Sequence, residues 1–171
     1  MNNEFYYGDI KEVRTKKESI REYLVKLYND TDGDNWKCNN NWLSDKPVTD
    51  WYGVGKSQDS GLYTIELPWN NLNGTIDLSG CTELDRLECN ENQLTSLNVS
   101  GCTALEYLYC HQNQLTSLDV SGCKNLVWFY CHNNQLTSLD VSGCTALDDH
   151  FSFSGNQFTR LDVSGCTALT C

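Results

Sequence analysis

The sequence predicts a β-rich α/β repeat solenoid, in which short strands stack in two parallel β ladders behind a helical N-terminal cap. Three observations lead to this fold class. Segments that begin at Leu84, Leu105 and Leu126 align with one another at a shift of 21 residues, which indicates a repeat array. Each segment contains two short runs in which apolar residues alternate, as they do in strands. An amphipathic stretch with a helix-start signal precedes the array.

The N-terminal cap is predicted over residues 1–60, with a helix from about Lys16 to Asn29. Thr15 and Glu18 have the spacing of a capping box, which marks a helix start. Apolar residues then recur at the spacing of one helix face: they are Ile20, Tyr23, Leu24, Leu27 and Tyr28. We expect this face to cover the first coil of the solenoid, because the end of a stack would otherwise expose its apolar side chains.

The array is predicted over residues 61–171, as five repeats followed by the start of a sixth. The repeats span residues 62–83, 84–104, 105–125, 126–146 and 147–168. Together with the cap, they are expected to form one cooperative domain, because each coil is stabilised by contact with its neighbours.

These repeats resemble the leucine-rich repeat. Its L-x-x-L-x-L-x-x-N-x-L motif matches Leu84, Leu87, Cys89, Asn92 and Leu94, and the match recurs in the following repeat. The resemblance implies a right-handed stack, and the 21-residue period is similar to that of bacterial members of this class.

The segment before the array resembles the N-terminal cap of bacterial and plant-type leucine-rich-repeat proteins. It carries three spaced tryptophans, Trp36, Trp42 and Trp51, and leads into an L-x-G-x-I sequence from Leu72 to Ile76. The resemblance implies that this cap is a folding element, so the tryptophans are expected in its core.

Repeated asparagines and cysteines are predicted to form buried ladders, since equivalent residues of stacked coils lie about 4.8 Å apart. The asparagine amides are expected to bond the loop backbone: they are Asn70, Asn92, Asn113, Asn134 and Asn156. The cysteines fill small apolar positions in two ladders: Cys89, Cys110 and Cys131, then Cys81, Cys102, Cys123, Cys144 and Cys166. We expect free thiols, because parallel Cβ vectors disfavour a disulfide.

The charge distribution excludes one broad class of partner. The formal net charge is −11, and residues 61–171 carry 3 Lys and Arg against 12 Asp and Glu. Nucleic-acid binding needs clustered cations, so no nucleic-acid partner is expected. The sequence contains no apolar run as long as a membrane span and no recognisable secretory signal. These features leave the compartment undetermined, whereas the family resemblance favours a secreted or cell-surface protein.

Catalytic and metal sites are not predicted. Cys110 and His111 are neighbours in a strand, as are Cys131 and His132, so their side chains face opposite sides and cannot form a dyad. Two imidazoles fall short of the three or four ligands of a zinc site. We therefore expect a protein that is not an enzyme and has no cofactor and no metal.

Two acidic patterns are interpreted as solvated carboxylates. Asp30, Asp32 and Asp34 have the spacing of a calcium loop, but Gly33 is fourth where the sixth position is required, and Asn41 stands at the twelfth in place of Glu. A second row is expected on the outward side of the second ladder: Asp77, Asn98, Asp119, Asp140 and Asp162. Hydrogen bonds from nearby Thr or Ser are favoured there over cation binding.

The candidate binding site lies on the outward face of the first ladder, at positions that vary from repeat to repeat. It comprises four large aromatic residues and four flanking polar ones: Tyr107, Tyr109, Trp128, Tyr130, His111, His132, Arg86 and Glu88. Exposed Tyr and Trp side chains are enriched at binding hot spots, which favours a ligand-binding face. The alternative is that cross-strand aromatic pairs only stabilise the sheet.

The predicted function is a non-catalytic module that binds a protein or peptide, as the resemblance implies. Aromatic faces beside His, Asn and Gln also suit sugar rings, so carbohydrate recognition is one alternative. A structural spacer within a longer cell-surface polypeptide is another. Leu169 to Cys171 open a further repeat without a polar cap, so we expect either a longer native chain or self-association at this end.

Overall fold

A computed structural model describes residues 19–58 and 60–170 of the chain. The described residues form one α-helix, two short 3₁₀ turns and eleven strands. The helix α1 spans Ile20–Asp30, and the turns span Gly33–Asn35 and Val48–Asp50. The strands, in chain order, are β1 (Val54–Lys56), β2 (Tyr63–Glu66), β3 (Asn73–Asp77), β4 (Leu84–Glu88), β5 (Gln93–Asn98), β6 (Tyr107–Tyr109), β7 (Ser117–Asp119), β8 (Trp128–Tyr130), β9 (Ser138–Asp140), β10 (Phe151–Ser152) and β11 (Arg160–Asp162).

The strands build a β-solenoid in which each coil gives one strand to each of two ladders. The first ladder is a six-stranded sheet in the order β1-β2-β4-β6-β8-β10. All its pairs are parallel except β1 with β2, which is antiparallel. The second ladder divides into a sheet β3-β5-β7 and a pair β9-β11, both parallel. The prediction of two parallel ladders is confirmed, while the antiparallel β1 is an addition from the cap.

A capping box starts the cap helix. The backbone at Ser19 is extended, and its hydroxyl accepts a hydrogen bond from the Glu22 N–H while the Glu22 carboxylate accepts one from the Ser19 N–H. The described helix begins at Ile20, and the predicted start at Lys16 lies outside the described residues. The predicted capping box of Thr15 and Glu18 lies outside the described residues. All five predicted apolar positions of the helix are buried.

An aromatic cluster forms the centre of the cap. The ring centroids of Trp36 and Trp42 lie 4.8 Å apart, and those of Trp42 and Trp51 lie 5.2 Å apart. The Trp36 indole N–H donates to the backbone oxygen of Thr31 at 2.9 Å, which satisfies its polar end. The three tryptophans are buried, so the expectation that they belong to the core is confirmed.

The asparagine ladder holds successive coils together through the backbone. The Asn134 amide donates to the carbonyl oxygens of Cys110 and Cys131 at 3.1 and 3.0 Å, and its oxygen accepts from the Leu115 N–H at 3.0 Å. Each asparagine thus satisfies backbone groups of its own coil and of the preceding one. In the first coil, Asn70 bonds both the N–H and the carbonyl of Cys38 in the cap in the same way.

The cysteine ladders fill the interior. The nine described cysteines are free thiols, and all except Cys38 are buried. Burial raises the pKa of Cys89 and Cys131 to about 12 and that of Cys123 to about 11, because a thiolate is poorly solvated among apolar side chains.

Candidate functional site

The outward side chains of the first sheet form rows that cross the strands. Parallel pairing places Arg86 beside Tyr107 and Tyr107 beside Trp128. A second row follows two residues further along each strand, where outward side chains recur. It consists of Glu66, Glu88, Tyr109, Tyr130 and Ser152.

The first row is a continuous stack of planar groups. The Arg86 guanidinium carbon lies 4.1 Å from the centroid of the Tyr107 ring, a cation–π distance. The Tyr107 and Trp128 centroids are 6.3 Å apart, and those of Trp128 and His150 are 3.7 Å apart with the rings 30° from parallel. His150 is held in turn by Asp148, whose carboxylate oxygen lies 2.7 Å from its Nδ1. The ring faces in this row therefore cover one another.

The second row places a tyrosine pair beside an ion pair. The ring centroids of Tyr109 and Tyr130 lie 5.2 Å apart at 42°. Arg86 donates to Glu88 at 3.0 Å, which connects the two rows at one end. Burial acts to lower the pKa of Arg86, but the hydrogen bond and charge of Glu88 overcome it and the pKa is raised. Burial also raises the pKa of Tyr109, so its hydroxyl stays a donor near neutral pH.

Two stacked imidazoles extend this surface. The rings of His111 and His132 are 4.5 Å apart and only 13° from parallel. His132 Nδ1 lies 3.2 Å from the Ser152 hydroxyl oxygen, whereas His111 Nδ1 is buried without a hydrogen-bond partner. Burial lowers the pKa of His111, and the charge of His132 lowers it further. The pair therefore resists protonation at His111.

The structure brings the eight predicted site residues together on one face, hereafter the aromatic face. Its four large aromatics, which were expected to be exposed, are each half-buried against their neighbours. The sequence pattern missed His150, which lies in the row of Trp128. Since Ser152 pairs with Tyr130, the residue two positions earlier must lie beside Trp128. The extra residue in the last repeat concealed this register.

Trp69 is a second residue that the sequence pattern missed. Its side chain is 60% exposed, the largest exposure among the big apolar side chains described. Its φ is 53°, in the left-handed region that bulky side chains rarely adopt. The same turn position holds Glu91, Gln112, Asn133 and Gly155 in the later coils, all with positive φ. The sequence feature that could have revealed this residue is the Trp itself, because the other repeats have a polar residue or glycine at the equivalent position.

Comparisons with solved structures identify the fold. The BIR2 ectodomain from Arabidopsis thaliana is 21% identical, with a TM-score of 0.51, over 85% of this chain and 95% of that chain. The LRR ectodomain of the receptor kinase SOBIR1 from the same plant is 22% identical over 82% and 93% of the two chains, with a TM-score of 0.46. A structure of the A. thaliana BIR3–SERK2 complex is 21% identical over 79% and 93%, with a TM-score of 0.43. The fold is a leucine-rich-repeat solenoid. No protein-family model matches the chain, and no curated protein does.

The opposite side of the leucine-rich-repeat solenoid carries the predicted acidic row. Asp119 and Asp140 each accept a hydrogen bond at 2.9 Å from the backbone N–H of the serine two residues later. Ser142 lowers the pKa of Asp140, first through a hydrogen bond from its side chain and then through the bond from its backbone N–H. An open depression of about 430 Å³ lies along this row. The carboxylates of Asp119 and Asp140 are thus bonded by serines of their own turns, through the backbone N–H of each serine and, at Ser142, through its side chain as well.

The C-terminal coil of the solenoid exposes apolar side chains. A depression of about 490 Å³ is lined by Phe151, Phe153, Leu161, Val163 and Leu169, together with two polar residues. Phe153 and Val163 are 39% and 40% exposed. The last described coil is therefore less completely packed than the interior ones.

The described part of the chain shows neither a metal-binding cluster nor a membrane-spanning helix. Within residues 19–58 and 60–170, no group of three or more His, Cys, Asp and Glu side chains is arranged to hold a metal ion. The helix in that part is too short to cross a bilayer.

Proposed function

We propose that this chain is a non-catalytic interaction module that binds a protein or peptide on its aromatic face. The observation that carries the proposal is the placement of Tyr107, Tyr109, Trp128 and Tyr130 side by side on the outward side of the first sheet. Equivalent positions in the flanking coils hold small or charged residues, such as Thr64 and Glu66, or the imidazole of His150. Clustered, half-exposed Tyr and Trp side chains provide contact area at a low cost in side-chain entropy.

The stacking geometry favours a protein over a carbohydrate. A sugar ring binds against the free face of an aromatic ring, but the faces of Tyr107 and Trp128 are covered along the row by Arg86, by each other and by His150. Ring edges, tyrosine hydroxyls and imidazoles remain available, and such groups suit the mixed apolar and polar surface of a peptide. Carbohydrate recognition and a purely structural spacer remain the alternatives that the experiment must separate.

The proposal also covers the role of the N-terminal cap, the location of the protein and the contacts of its C-terminal coil. We infer that residues 1–60 act as the cap of the bacterial and plant type, and that they fold cooperatively with residues 61–171. A secreted or cell-surface protein is consistent with the similarity to the BIR2 ectodomain. Self-association at the C-terminal coil fits the exposed apolar side chains of Phe153 and Val163.

The test compares wild type with Trp128→Ala and with a control, Val141→Ala, which weakens the core without touching the aromatic face. Each purified protein serves as bait, captured proteins are identified by mass spectrometry, and the purified partner is then titrated by calorimetry. Loss of a hot-spot Trp is expected to raise the Kd by about thirtyfold or more. The Val141→Ala protein should bind with nearly unchanged affinity.

Three results contradict the proposal. Unchanged affinity in the Trp128→Ala protein places the binding site elsewhere. A glycan array that shows saturable binding lost in Trp128→Ala, without a protein partner, favours the carbohydrate alternative. Absence of any captured partner or bound glycan for all three proteins favours the spacer.

A further inference from the structure

Three carboxylates lie along one side of the aromatic face. Glu66 and Glu88 are direct neighbours in the parallel register of β2 and β4, and Glu88 is in turn beside Tyr109. Glu91 follows on the next turn, where its N–H donates to the carbonyl of His111 at 3.0 Å. Both Glu88 and Glu91 are close enough to His111 for their charge to act on its pKa. Like charges placed opposite each other across strands are unfavourable, so this arrangement costs stability.

An exposed aromatic residue borders the carboxylates on the other side. The Trp69 N–H donates to the carbonyl of Asn90 at 3.1 Å, which places Trp69 one strand away from Glu91. Glu88 and Glu91 therefore lie on the strand and turn between those of Trp69 and of Tyr109 and His111. We call the region formed by Glu88 and Glu91 on this middle coil, together with Glu66 beside Glu88 on the coil of Trp69, the acidic gap.

A cation already occupies one edge of the acidic gap. The Arg86 guanidinium stacks on Tyr107 and donates to Glu88, and the charge of Glu66 also acts on it. Its position shows that the surface accommodates a guanidinium between an aromatic ring and a carboxylate. Lys124 and Arg160 are the other two cations of residues 61–171. Arg160 lies on the second ladder beside Asp162, and Lys124 lies in a turn before β8. One Arg against three Glu leaves the gap with negative charge.

Resting on the proposed function of the aromatic face, we propose that its partner is a basic segment of a protein. An arginine or lysine side chain of that segment lies in the acidic gap, between Trp69 and Tyr109. The rest of the segment runs along the half-exposed aromatic rows. A cation there relieves the repulsion between Glu66 and Glu88 and can gain cation–π contact with the exposed ring of Trp69. The chain's surplus of negative charge also attracts such a partner and speeds its association.

The first experiment uses defined probes. A fluorescein-labelled peptide of alternating arginine and glycine is titrated against the full chain by fluorescence anisotropy, beside a matched peptide of glutamate and glycine. Glu66→Gln combined with Glu91→Gln removes charge from the gap and leaves the pair of Arg86 and Glu88 intact. The matched control is Asp119→Asn combined with Asp140→Asn, which changes the net charge equally on the opposite side of the solenoid.

The proposal expects the arginine peptide to bind and the glutamate peptide to fail. The gap double variant should weaken arginine-peptide binding by about tenfold, and the control by less than about twofold. Trp69→Ala should weaken it by about fivefold, whereas Phe153→Ala, an exposed aromatic at the far end, should not. Equal losses in the two double variants would mean attraction to overall charge alone and would overturn the proposal. Binding of the glutamate peptide as tightly as the arginine peptide would overturn it as well.

A second measurement separates this inference from the proposed function. The partner identified through the Trp128→Ala comparison is titrated against the gap double variant at low and at physiological salt. Weakened binding, with a smaller salt dependence than wild type, supports the basic partner. Wild-type affinity at both salt concentrations overturns the basic partner but leaves the proposed function standing. If Trp128→Ala has no effect, the proposed function itself fails.

Discussion

The imidazole of His150 stacks on the indole of Trp128, with ring centroids 3.7 Å apart, while its Nδ1 lies 2.7 Å from the carboxylate of Asp148. Because His150 directly precedes β10, this contact connects the last strand of the first ladder to the aromatic face. Trp128 is therefore packed between two rings, and its conformation depends on both. The rings of the aromatic face pack against one another, so each ring restricts the side-chain conformations of the next.

Removing the imidazole should loosen this end of the stack. We expect His150→Ala to lower the free energy of unfolding by about 1 kcal/mol, as for an aromatic pair. Urea unfolding followed by circular dichroism measures the change. Ser154→Ala, a truncation of an exposed residue in the same coil, should stay within about 0.5 kcal/mol of wild type. A His150→Ala protein as stable as wild type would show that the stack contributes nothing to folding.

Protonation of His111 should destabilise the fold at mildly acidic pH. Its pKa is lowered in the folded protein, first by burial and then by the charge of His132, so the unfolded chain binds the proton more readily. The free energy of unfolding should therefore fall as the pH drops through about 6.5, the ordinary histidine value, and level off below the folded pKa. His111→Gln removes this contribution. The difference in unfolding free energy between variant and wild type, measured from pH 8 to pH 5, should shift in favour of the variant, and a constant difference would contradict the prediction.

The fold could be predicted in detail because a 21-residue period fixes which residues stack. The Asn92, Asn113 and Asn134 ladder and the two strand ladders follow from that period alone. The antiparallel β1 could not be predicted in the same way, because Val54–Lys56 precedes the array and matches no repeat position. His150 and Trp69 were missed for a related reason. Each lies in one of the two looser repeats, which are one residue longer than the others. For His150, the 21-residue spacing gives the wrong strand register. For Trp69, the consensus has no matching residue.

We expect the asparagine ladder to contribute more to the free energy of unfolding than the partial exposure of its side chains suggests. Asn134→Ala leaves the Leu115 N–H without its acceptor. It also removes one of two amide donors from the carbonyls of Cys110 and Cys131, which Asn113 and Asn156 still bond. An unpaired buried N–H costs roughly 1–3 kcal/mol and each weakened carbonyl about 0.5 kcal/mol more, so we expect a loss of about 3 kcal/mol in the free energy of unfolding. Gln135→Ala, whose side chain is exposed, should cost less than about 0.5 kcal/mol. Urea unfolding measures both values. A similar loss of unfolding free energy in the two variants would indicate that the asparagine amide bonds do not stabilise the contact between coils.

The cysteine ladders make it possible to measure stability coil by coil. Burial raises the pKa of the Cys102 thiol to about 12, so at pH 8 only about one molecule in ten thousand carries the reactive thiolate. Of the described cysteines, we expect half-buried Cys38 to react with iodoacetamide in the folded protein, and the buried ladder members to react only when a coil opens. Alkylation mapped by mass spectrometry gives the rate at each position.

The rates should follow position in the stack. Cys166 lies in the last described coil, which packs against a neighbour on one side and is bordered by exposed Phe153 and Val163. Cys102 lies between two coils and is completely buried. An end coil opens at a lower free energy than an interior one, because fewer interfaces must be broken. Cys166 should therefore be alkylated faster than Cys102 in native protein, and both at the same rate in urea. Equal native rates at the two positions would mean that the solenoid opens only as a whole.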